Sequence, residues 1–300
     1  MNLHALRLFH VIASTQSVTR ASEILNISQP AITAQIKKFE KELSIPLFKP
    51  QGRGIALTDA GEKMEQLAKR LFAVEQQIEQ FTHDYHHGSI GHIRIAATYL
   101  PAHVLLPAWI AKFKQQYEQV EMTITTTNSS DALKQLLNVE ADLAIYGGLP
   151  EEYPDTVLTK ELFQDELWFV VAPGHKYANQ QVSLHDMMKE AFVMREEGSS
   201  TRERLLALCR TYNSTNPRIT LQFNGLHEAI TAVIAGYGAS FVSSLVVSPY
   251  VERGELCRVY VEGIHLQNTI AVCTRRQEPL SQAAAHFIQM IRQNPYRRPS

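Results

Sequence analysis

Apolar residues recur every three or four positions near the start of the chain, and this spacing predicts three short helices. The first helix carries an apolar stripe from Leu3 to Ile12 and ends near Ser14 or Thr15. A second helix is predicted between Ser17, a plausible N-cap, and Asn26, and a third runs from about Ser28 to Leu43. A short helix, a tight turn and a longer helix with a polar face are typical of a helix-turn-helix motif.

The third helix separates an apolar stripe from a polar and basic face. A helix in the major groove meets base edges with its first turn, where Gln bonds adenine and a Thr methyl contacts the thymine methyl, so Gln29 and Thr33 are the predicted base readers. Lysines farther along are predicted to contact phosphates, and a hairpin after Pro46 would carry its tip residue into a minor groove. The alternative for each side chain alone is a solvated surface. The predicted DNA-binding residues are Gln29, Pro30, Thr33, Lys37, Lys38 and Arg53.

A longer amphipathic helix follows from Thr58, with apolar residues at alternating spacings of three and four. A repeat of 3.5 residues is typical of a coiled coil, so this helix is predicted to pair with its copy in a second subunit; the alternative is packing against its own chain. Three histidines near its end, spaced for metal ligation, have no convincing third ligand type nearby and are interpreted as solvated. The predicted seam is Met64, Leu67, Leu71, Val74, Ile78, Phe81 and Tyr85, and the histidines are His83, His86 and His87.

From Gly91 onward, predicted strands and helices alternate, which favours a parallel sheet covered by helices. Two α/β lobes are predicted, with the chain crossing between them near 162–166 and 265–269. The fold class is therefore α/β, with an N-terminal winged helix-turn-helix, a long linker helix and a two-lobed C-terminal domain. The predicted domains are 1–58, 59–88 with a hinge, and 89–300, in which lobe 1 covers about 89–163 and 268–300 and lobe 2 about 164–267.

Polar residues follow several of these strands or open the next helix. Ligands of open α/β sheets bind at the carboxyl ends of strands, where helix N-termini present unpaired N–H groups, so a small anion such as a carboxylate or an inorganic oxyanion is expected there. Simple helix capping by the Ser and Thr residues, and an ion pair between Arg202 and a nearby Glu, remain open alternatives. The candidate ligand-binding residues are Thr98, Tyr99, Asn128, Ser129, Ser199, Ser200, Thr201, Arg202 and Asn224.

The ordered motifs resemble those of LysR-type transcriptional regulators over essentially the whole chain. The resemblance implies a DNA-binding head, a dimerisation helix, tetramers built from dimers, and a periplasmic-binding-protein-like body that holds a small-molecule effector between its lobes. The motifs that carry it include Ser17-Val18-Thr19-Arg20-Ala21-Ser22, Ser28-Gln29-Pro30-Ala31-Ile32-Thr33, Leu47-Phe48, Leu57-Thr58-x-Ala60-Gly61, Asp142-Leu143-Ala144-Ile145, Gly198-Ser199-Ser200-Thr201-Arg202 and Gly236-Tyr237-Gly238-Ala239.

Charge and composition agree with a DNA-binding head on a sensing body. Residues 1–57 hold seven Lys or Arg against three acids, a net +4, whereas 58–300 hold 22 basic and 27 acidic residues, a net −5. A basic head is expected where only that part approaches a polyanion. A mean hydropathy of −0.17, no apolar run long enough to span a bilayer and no signal peptide predict a cytoplasmic protein without a membrane partner.

Motifs typical of common enzyme and nucleotide-binding families are absent from the sequence. There is no G-x-S-x-G, Walker A, G-x-G-x-x-G or H-E-x-x-H motif, so neither an enzyme nor a cofactor is predicted. Three cysteines without C-x-x-C spacing are interpreted as reduced, buried thiols. The remaining alternative is a small-molecule-binding protein whose head contacts protein rather than DNA.

Overall fold

The computed structural model describes residues 2–51, 54–87, 91–148 and 154–293. The chain forms two compact units, an N-terminal one that extends to His83 and a larger C-terminal one. Within the described ranges, no helix combines the length and apolar content that crossing a bilayer requires.

The N-terminal unit contains three helices, a two-stranded hairpin and a long helix. Asn26 adopts a left-handed conformation at the end of α2, where the sequence predicted the helix to end, and Gln16 and Ser44 adopt the same conformation at the ends of α1 and α3. The bounds are α1 (Leu3–Thr15), α2 (Val18–Leu25), α3 (Gln29–Leu43), β1 (Phe48–Gln51), β2 (Gly54–Leu57) and α4 (Asp59–His87). β1 and β2 pair antiparallel, as expected for a wing.

The predicted stripes of α1 and α3 meet in one core. Leu6, Phe9 and Ile12 of α1 are buried, whereas Leu3 at the start of the stripe is 56% exposed. Ile32, Ile36 and Phe39 of α3 are buried in the same core, as their spacing predicted. The predicted inner face of α2 is only partly correct, since Ala21 is buried but Ile24 remains 62% exposed.

The long helix α4 has two apolar faces. Ala68 and Phe72 are buried in the core of the N-terminal unit, and Met64 packs against it. Met64 therefore packs within the N-terminal unit and does not belong to the predicted seam. Four other predicted seam residues stay exposed in the single chain: Leu67 (61%), Leu71 (39%), Val74 (41%) and Ile78 (61%).

The C-terminal unit is built on one continuous, mixed sheet with the strand order β4-β3-β5-β12-β6-β10-β8-β9, and β11 pairs with β6 and β7. β3 is parallel to β4 and β5, as predicted for the first lobe, and β8, which the sequence did not predict, is parallel to β9 and β10. The strands are β3 (His92–Thr98), β4 (Glu121–Thr127), β5 (Leu143–Gly147), β6 (Val157–Val171), β7 (Gln181–Val182), β8 (Ala191–Arg195), β9 (Arg218–Phe223), β10 (Ala239–Ser243), β11 (Cys257–Val261) and β12 (Leu266–Arg275).

Helices cover both lobes of this sheet. A π-helical turn, Pro101–Leu105, leads into the first of them. The helices are α5 (Leu106–Gln116), α6 (Ser129–Leu137), α7 (Leu184–Met188), α8 (Ser200–Thr211), α9 (Leu226–Ile234), α10 (Ser244–Glu252) and α11 (Gln282–Gln293). Separate apolar cores lie under them in the two lobes.

Two antiparallel strands, β6 and β12, join the lobes. β6 pairs with β12 as far as Leu167, and from Leu167 to Val171 it pairs with β10. It begins at Val157, whereas the sequence predicted a strand only from Leu167, because charged residues such as Lys160 and Glu161 interrupt the apolar pattern on its exposed side. The change of partner at Leu167 brings the carboxyl ends of strands from both lobes to one place.

Candidate functional site

The polar face of α3 is exposed along its length. Gln29, Pro30 and Thr33 are exposed in its first turns, and Lys37 and Lys38 follow on later turns. Lys38 makes only a long contact with Glu42, 3.9 Å, and its side chain is 77% exposed. Polar first turns followed by exposed lysines are the arrangement a helix needs to read bases and contact phosphates.

The start of α3 is left open by its capping residue. Ser28 occupies the N-cap position with an extended backbone, but its hydroxyl accepts no bond from the first turn, contrary to the expectation that it caps the helix. Ser17 at the start of α2 does cap, since its Oγ accepts from the Arg20 N–H at 3.3 Å. Helix N-termini with exposed N–H groups bind phosphates, so this end of α3 suits a DNA backbone.

Glu40 fixes the wing relative to α3, a role that spacing alone does not reveal. Its Oε1 accepts hydrogen bonds from the backbone N–H groups of Leu47 at 2.7 Å and Phe48 at 3.0 Å. The start of α4 closes on the same turn, because Thr58 Oγ1 donates to the Pro46 carbonyl and accepts from Gly61 N–H at 3.0 Å. A Cβ at Gly61 would lie 2.2 Å from the Leu47 carbonyl oxygen, so only glycine fits there.

Some predicted residues lie outside the part of the chain that can be described. Arg53, the predicted minor-groove residue, is one of them, and the residues 88–90 of the predicted hinge are others. The side chains of Phe81, Tyr85 and the three histidines near the end of α4 are likewise outside the description. Elsewhere, among the residues described, no group of three His, Cys, Asp or Glu side chains is placed to hold a metal.

A cavity lies where the strands of the two lobes end. Its volume is about 390 Å³, including space that is open to solvent. Seven predicted residues line it: Thr98, Tyr99, Asn128, Ser129, Ser199, Ser200 and Thr201. The other lining residues are Leu100, Thr127, Gly147, Arg195, Leu226, Val242, Ser243 and Asn268.

Hydrogen bonds hold the walls of this cavity together across the two lobes. Ser200 Oγ donates to the Gly147 carbonyl at 3.1 Å, and Ser130 N–H donates to the Gly198 carbonyl at 3.3 Å. Within the first lobe, Thr98 Oγ1 accepts from the Gly147 N–H at 2.8 Å. The two lobes are thus in contact around the cavity.

Two helices begin at the cavity with different caps. Asn128 Oδ1 accepts from the Asp131 N–H at 2.9 Å, so Asn128 caps α6. Ser199 precedes α8 without a side-chain bond to its first turn, and its Oγ instead pairs with Thr201 Oγ1 at 3.1 Å. The N-terminus of α8 is therefore the one better suited to an anion.

Two predicted ligand-binding residues do not line the cavity. Arg202 donates to Gln222 Oε1 at 2.6 Å and to the Arg195 carbonyl at 3.1 Å, so its guanidinium is held beside the sheet. Asn224 is exposed. The N-terminus of α9, which follows it, is occupied by the Glu228 carboxylate, because a Cβ at Gly225 would lie 1.7 Å from that group. Neither side chain is positioned to contact a molecule in the cavity.

Arg195, unlike Arg202, contributes its side chain to the wall of the cavity. It is buried, its Nε and Nη2 each donate to Glu196 at 2.8 Å, and its Cζ lies 4.1 Å from the Tyr99 ring centroid. The pair with Glu196 offsets its charge, while the cation–π contact with Tyr99 joins the two lobes. Sequence reasoning missed it because strand β8 was not predicted; an arginine directly after the apolar run 191–194 was the available signal.

Asn268 is the second missed residue, and it sits on the crossing strand β12. Its side chain is 1% exposed, and its Nδ2 donates to Asp165 Oδ2 at 3.3 Å. Asp165, also buried, accepts from the hydroxyls of Ser243 and Ser244 as well. Among the described residues, the Asn268 Oδ1 has no hydrogen-bond partner. The apolar pattern predicts this strand only from Thr269, so it assigns Asn268 to the connection between the lobes.

The three cysteines all lie in described residues and form no disulfide. Cys209 and Cys273 are buried, as expected, whereas Cys257 is only half-buried. Burial raises the pKa of the Cys209 thiol, and burial also raises the pKa of the Tyr146 phenol next to Gly147. Both groups therefore stay neutral near pH 7.

Comparisons with known families match both units. Residues 3–62 match the model described as "Bacterial regulatory helix-turn-helix protein, lysR family", and residues 86–295 match "LysR substrate binding domain". The chain is 29% identical over 295 residues to a RuBisCO operon transcriptional regulator of Allochromatium vinosum, covering 97% of this chain and 95% of that one. A probable RuBisCO transcriptional regulator of Phaeodactylum tricornutum is 26% identical, with 95% and 94% covered.

Solved structures share the fold. The crystal structure of full-length CbnR complexed with its target DNA has a TM-score of 0.71 at 19% identity, with 98% of this chain and 99% of that chain covered. The regulatory domain of CcmR from Synechocystis PCC6803, in complex with 2-PG, has a TM-score of 0.63 at 22% identity and covers 70% of this chain and all of the other. These relatives are transcriptional regulators and not enzymes.

Proposed function

Because the chain belongs to the LysR family of transcriptional regulators, we propose that it detects a small anion in the cavity of its C-terminal domain and alters promoter binding in response. The family fixes the broader role: the chain is a DNA-binding regulator with an effector-binding domain, and it assembles with further copies of itself. The alternative of a binding protein without a DNA partner loses its support, since the N-terminal match is to a regulatory DNA-binding motif. We place it in the cytoplasm, where its DNA target lies.

The observation that carries the anion proposal is the uncapped start of α8 at the cavity. Ser199 leaves the first-turn N–H groups without a side-chain partner, and Thr98, Ser199, Ser200 and Thr201 add hydroxyls around them. A helix N-terminus stabilises negative charge through these N–H groups and the helix dipole. Buried Arg195 lies on the same wall and contributes further hydrogen-bond donors.

On the DNA side, the proposal assigns base reading to Gln29 and Thr33 and phosphate contacts to Lys37 and Lys38. The support is their joint exposure on one face of α3, opposite its buried stripe. Arg53 is proposed to reach a minor groove from the wing, on the strength of its place in the sequence.

Effector binding requires the cavity to respond to its occupant. The contacts Ser200 to Gly147 and Ser130 to Gly198 close the lobes around it, and an entering ligand must compete with them or bridge them. A ligand that binds one lobe arrangement better than another shifts the population toward it. That shift is the proposed link to promoter binding.

Thermal unfolding of the full-length protein against small carboxylates and oxyanions tests the anion proposal. A ligand at about 100 times its dissociation constant stabilises the protein by about 2.7 kcal/mol, which gives a clear rise in melting temperature. We expect the rise to be lost in Ser199→Ala and kept in Ser214→Ala, which removes a hydroxyl without a partner outside the cavity. A rise that survives Ser199→Ala would place the anion elsewhere, and no rise with any anion would remove the proposal.

A further inference from the structure

We propose that the effector carries a hydroxyl group beside its anionic group, so that the cavity selects a 2-hydroxycarboxylate over the corresponding unsubstituted acid. This inference rests on the proposed anion-sensing function and narrows it. Its source is the unpartnered Oδ1 of Asn268, a buried acceptor on the cavity wall. A buried polar atom without a partner is costly, and a bound donor relieves that cost.

The orientation of the Asn268 amide follows from its neighbour. Asp165 Oδ2 accepts from the amide Nδ2, so a reversed amide would set an oxygen against a carboxylate oxygen. Asp165 also takes hydroxyl donors from Ser243 and Ser244, which completes its own set of partners. The network therefore holds Oδ1 as the side that faces away from Asp165, and it requires a donor there.

The free acceptor lies next to the start of α8. A Cβ placed on Gly148 would lie 2.9 Å from Asn268 Oδ1 and 2.7 Å from Ser200 Oγ, so both oxygens lie beside Gly148 and close to each other. Ser200 is the first residue of α8, whose N-terminus lacks a side-chain cap. An anionic group at that N-terminus and a donor at Oδ1 are thus close enough to belong to one small molecule, such as an acid with a hydroxyl on the adjacent carbon.

A neutral hydroxyl fits this position better than an ammonium. An ammonium needs a negative partner, and the carboxylate beside Asn268, that of Asp165, is already occupied by three donors. An ammonium carries three N–H donors, whereas Oδ1 is a single acceptor. A hydroxyl needs only that one acceptor.

Matched pairs of acids that differ by one hydroxyl test the inference directly. Calorimetric titration of the full-length protein compares glycolate with acetate, lactate with propionate, and malate with succinate, and it adds glycine as the ammonium analogue of glycolate. We expect the hydroxy acid of at least one pair to bind about tenfold or more tightly than its partner, and glycine to bind more weakly than glycolate.

Substitution of Asn268 ties the preference to this residue. In Asn268→Leu, a change of similar size, the ratio of affinities within the pair should fall to about one while the unsubstituted acid still binds, which shows that the site is folded. Asn268→Ser keeps a hydroxyl that can donate to Asp165 and serves if the leucine variant unfolds. Asn224→Leu changes an exposed asparagine outside the cavity and should leave the ratio as it is.

Each other outcome has a defined meaning. Equal binding within every pair, or a ratio that Asn268→Leu leaves intact, overturns the hydroxyl inference while the anion site stands. Tighter binding of glycine than glycolate replaces the hydroxyl by an ammonium and also overturns it. Binding of none of the acids overturns both this inference and the carboxylate-sensing function on which it rests.

Discussion

The recognition face of α3 and the cavity of the C-terminal unit place their polar groups in opposite environments. Gln29 and Thr33 are exposed on one helix, where each side chain is solvated until DNA displaces the water. Asn268 and Arg195 are at least nine-tenths buried and come from separate strands, so each needs a partner within the fold. The head can therefore tolerate changes at its contact residues, whereas changes in the cavity alter both binding and stability.

The two regions also differ in how their geometry is fixed. α3 is positioned by its own apolar stripe and by the turn that Glu40 organises. The cavity depends on β6 and β12 passing between lobes, since the change of strand partner at Leu167 gathers its walls. Substitutions that change either the residues that position a site or the residues that contact its ligand distinguish the two regions.

Gly61→Ala should damage the head without touching any DNA-contacting side chain. The added Cβ would lie 2.2 Å from the Leu47 carbonyl oxygen, and relieving that clash moves the wing away from α4. We expect the N-terminal unit to lose about 3 kcal/mol of stability, measured as faster hydrogen exchange in α1 and α3. Gly54→Ala, whose Cβ has 3.7 Å to the nearest atom, is the matched control. Unchanged hydrogen exchange in Gly61→Ala would show that the turn accommodates the added Cβ without loss of stability, and it would contradict this prediction.

Leu71→Asp should weaken self-association while leaving each chain folded. Leu71 belongs to an apolar row with Leu67, Val74 and Ile78, and all four side chains remain exposed in the single chain. Burying a leucine contributes about 1.5–3 kcal/mol, and a symmetric dimer contains two copies. Sedimentation should therefore show a dimer dissociation constant raised by about 100-fold or more. Lys69→Asp, on an exposed polar position of the same helix, should have little effect, and equal behaviour of the two variants would exclude this seam.

Substitution of a base-reading residue should change sequence preference. Thr33→Ala is expected to cost about 1–3 kcal/mol at particular base pairs of the operator and little on unrelated DNA. Fluorescence anisotropy on a set of single-base operator variants measures this selectivity. A uniform loss across all variants would mean that Thr33 contacts the backbone instead.

Lys37→Ala should have the smallest effect and a different signature. Lys37 is exposed on α3 beyond the first turns, so its loss should weaken binding to all sequences alike and reduce the salt dependence by about one unit of slope. The same titrations at several salt concentrations measure it, with Lys69→Ala as the control lysine. If Lys37→Ala and Thr33→Ala behave alike, the division between base readers and phosphate contacts is wrong.

The sequence predicted the head more completely than the cavity, for a physical reason. A helix places its exposed face by a fixed spacing, so the buried Ile32 and Ile36 also locate Gln29 and Thr33. Strand ends gave Thr98 and Ser199 by the same local reasoning. The cavity's other residues depend on which strands become neighbours, and that pairing leaves no local pattern.

Arg202 illustrates where local reasoning failed. It follows Ser200 and Thr201 in the sequence and was expected to reach the ligand, but its guanidinium turns to Gln222 and the Arg195 carbonyl. Arg195 reaches the cavity because β8 lies between β10 and β9 in the sheet. Only the folded sheet decides which of two nearby arginines faces the cavity.

The most direct test of the account measures DNA binding with the cavity filled and empty. Fluorescence anisotropy of the full-length protein on an operator selected from random DNA, with and without glycolate at saturating concentration, should show a changed affinity or a changed bend by energy transfer. In Ser199→Ala the response to glycolate should disappear while the affinity without glycolate stays the same. A response that persists in Ser199→Ala, or glycolate binding that leaves DNA binding unchanged, would contradict the link between this cavity and the DNA-binding head.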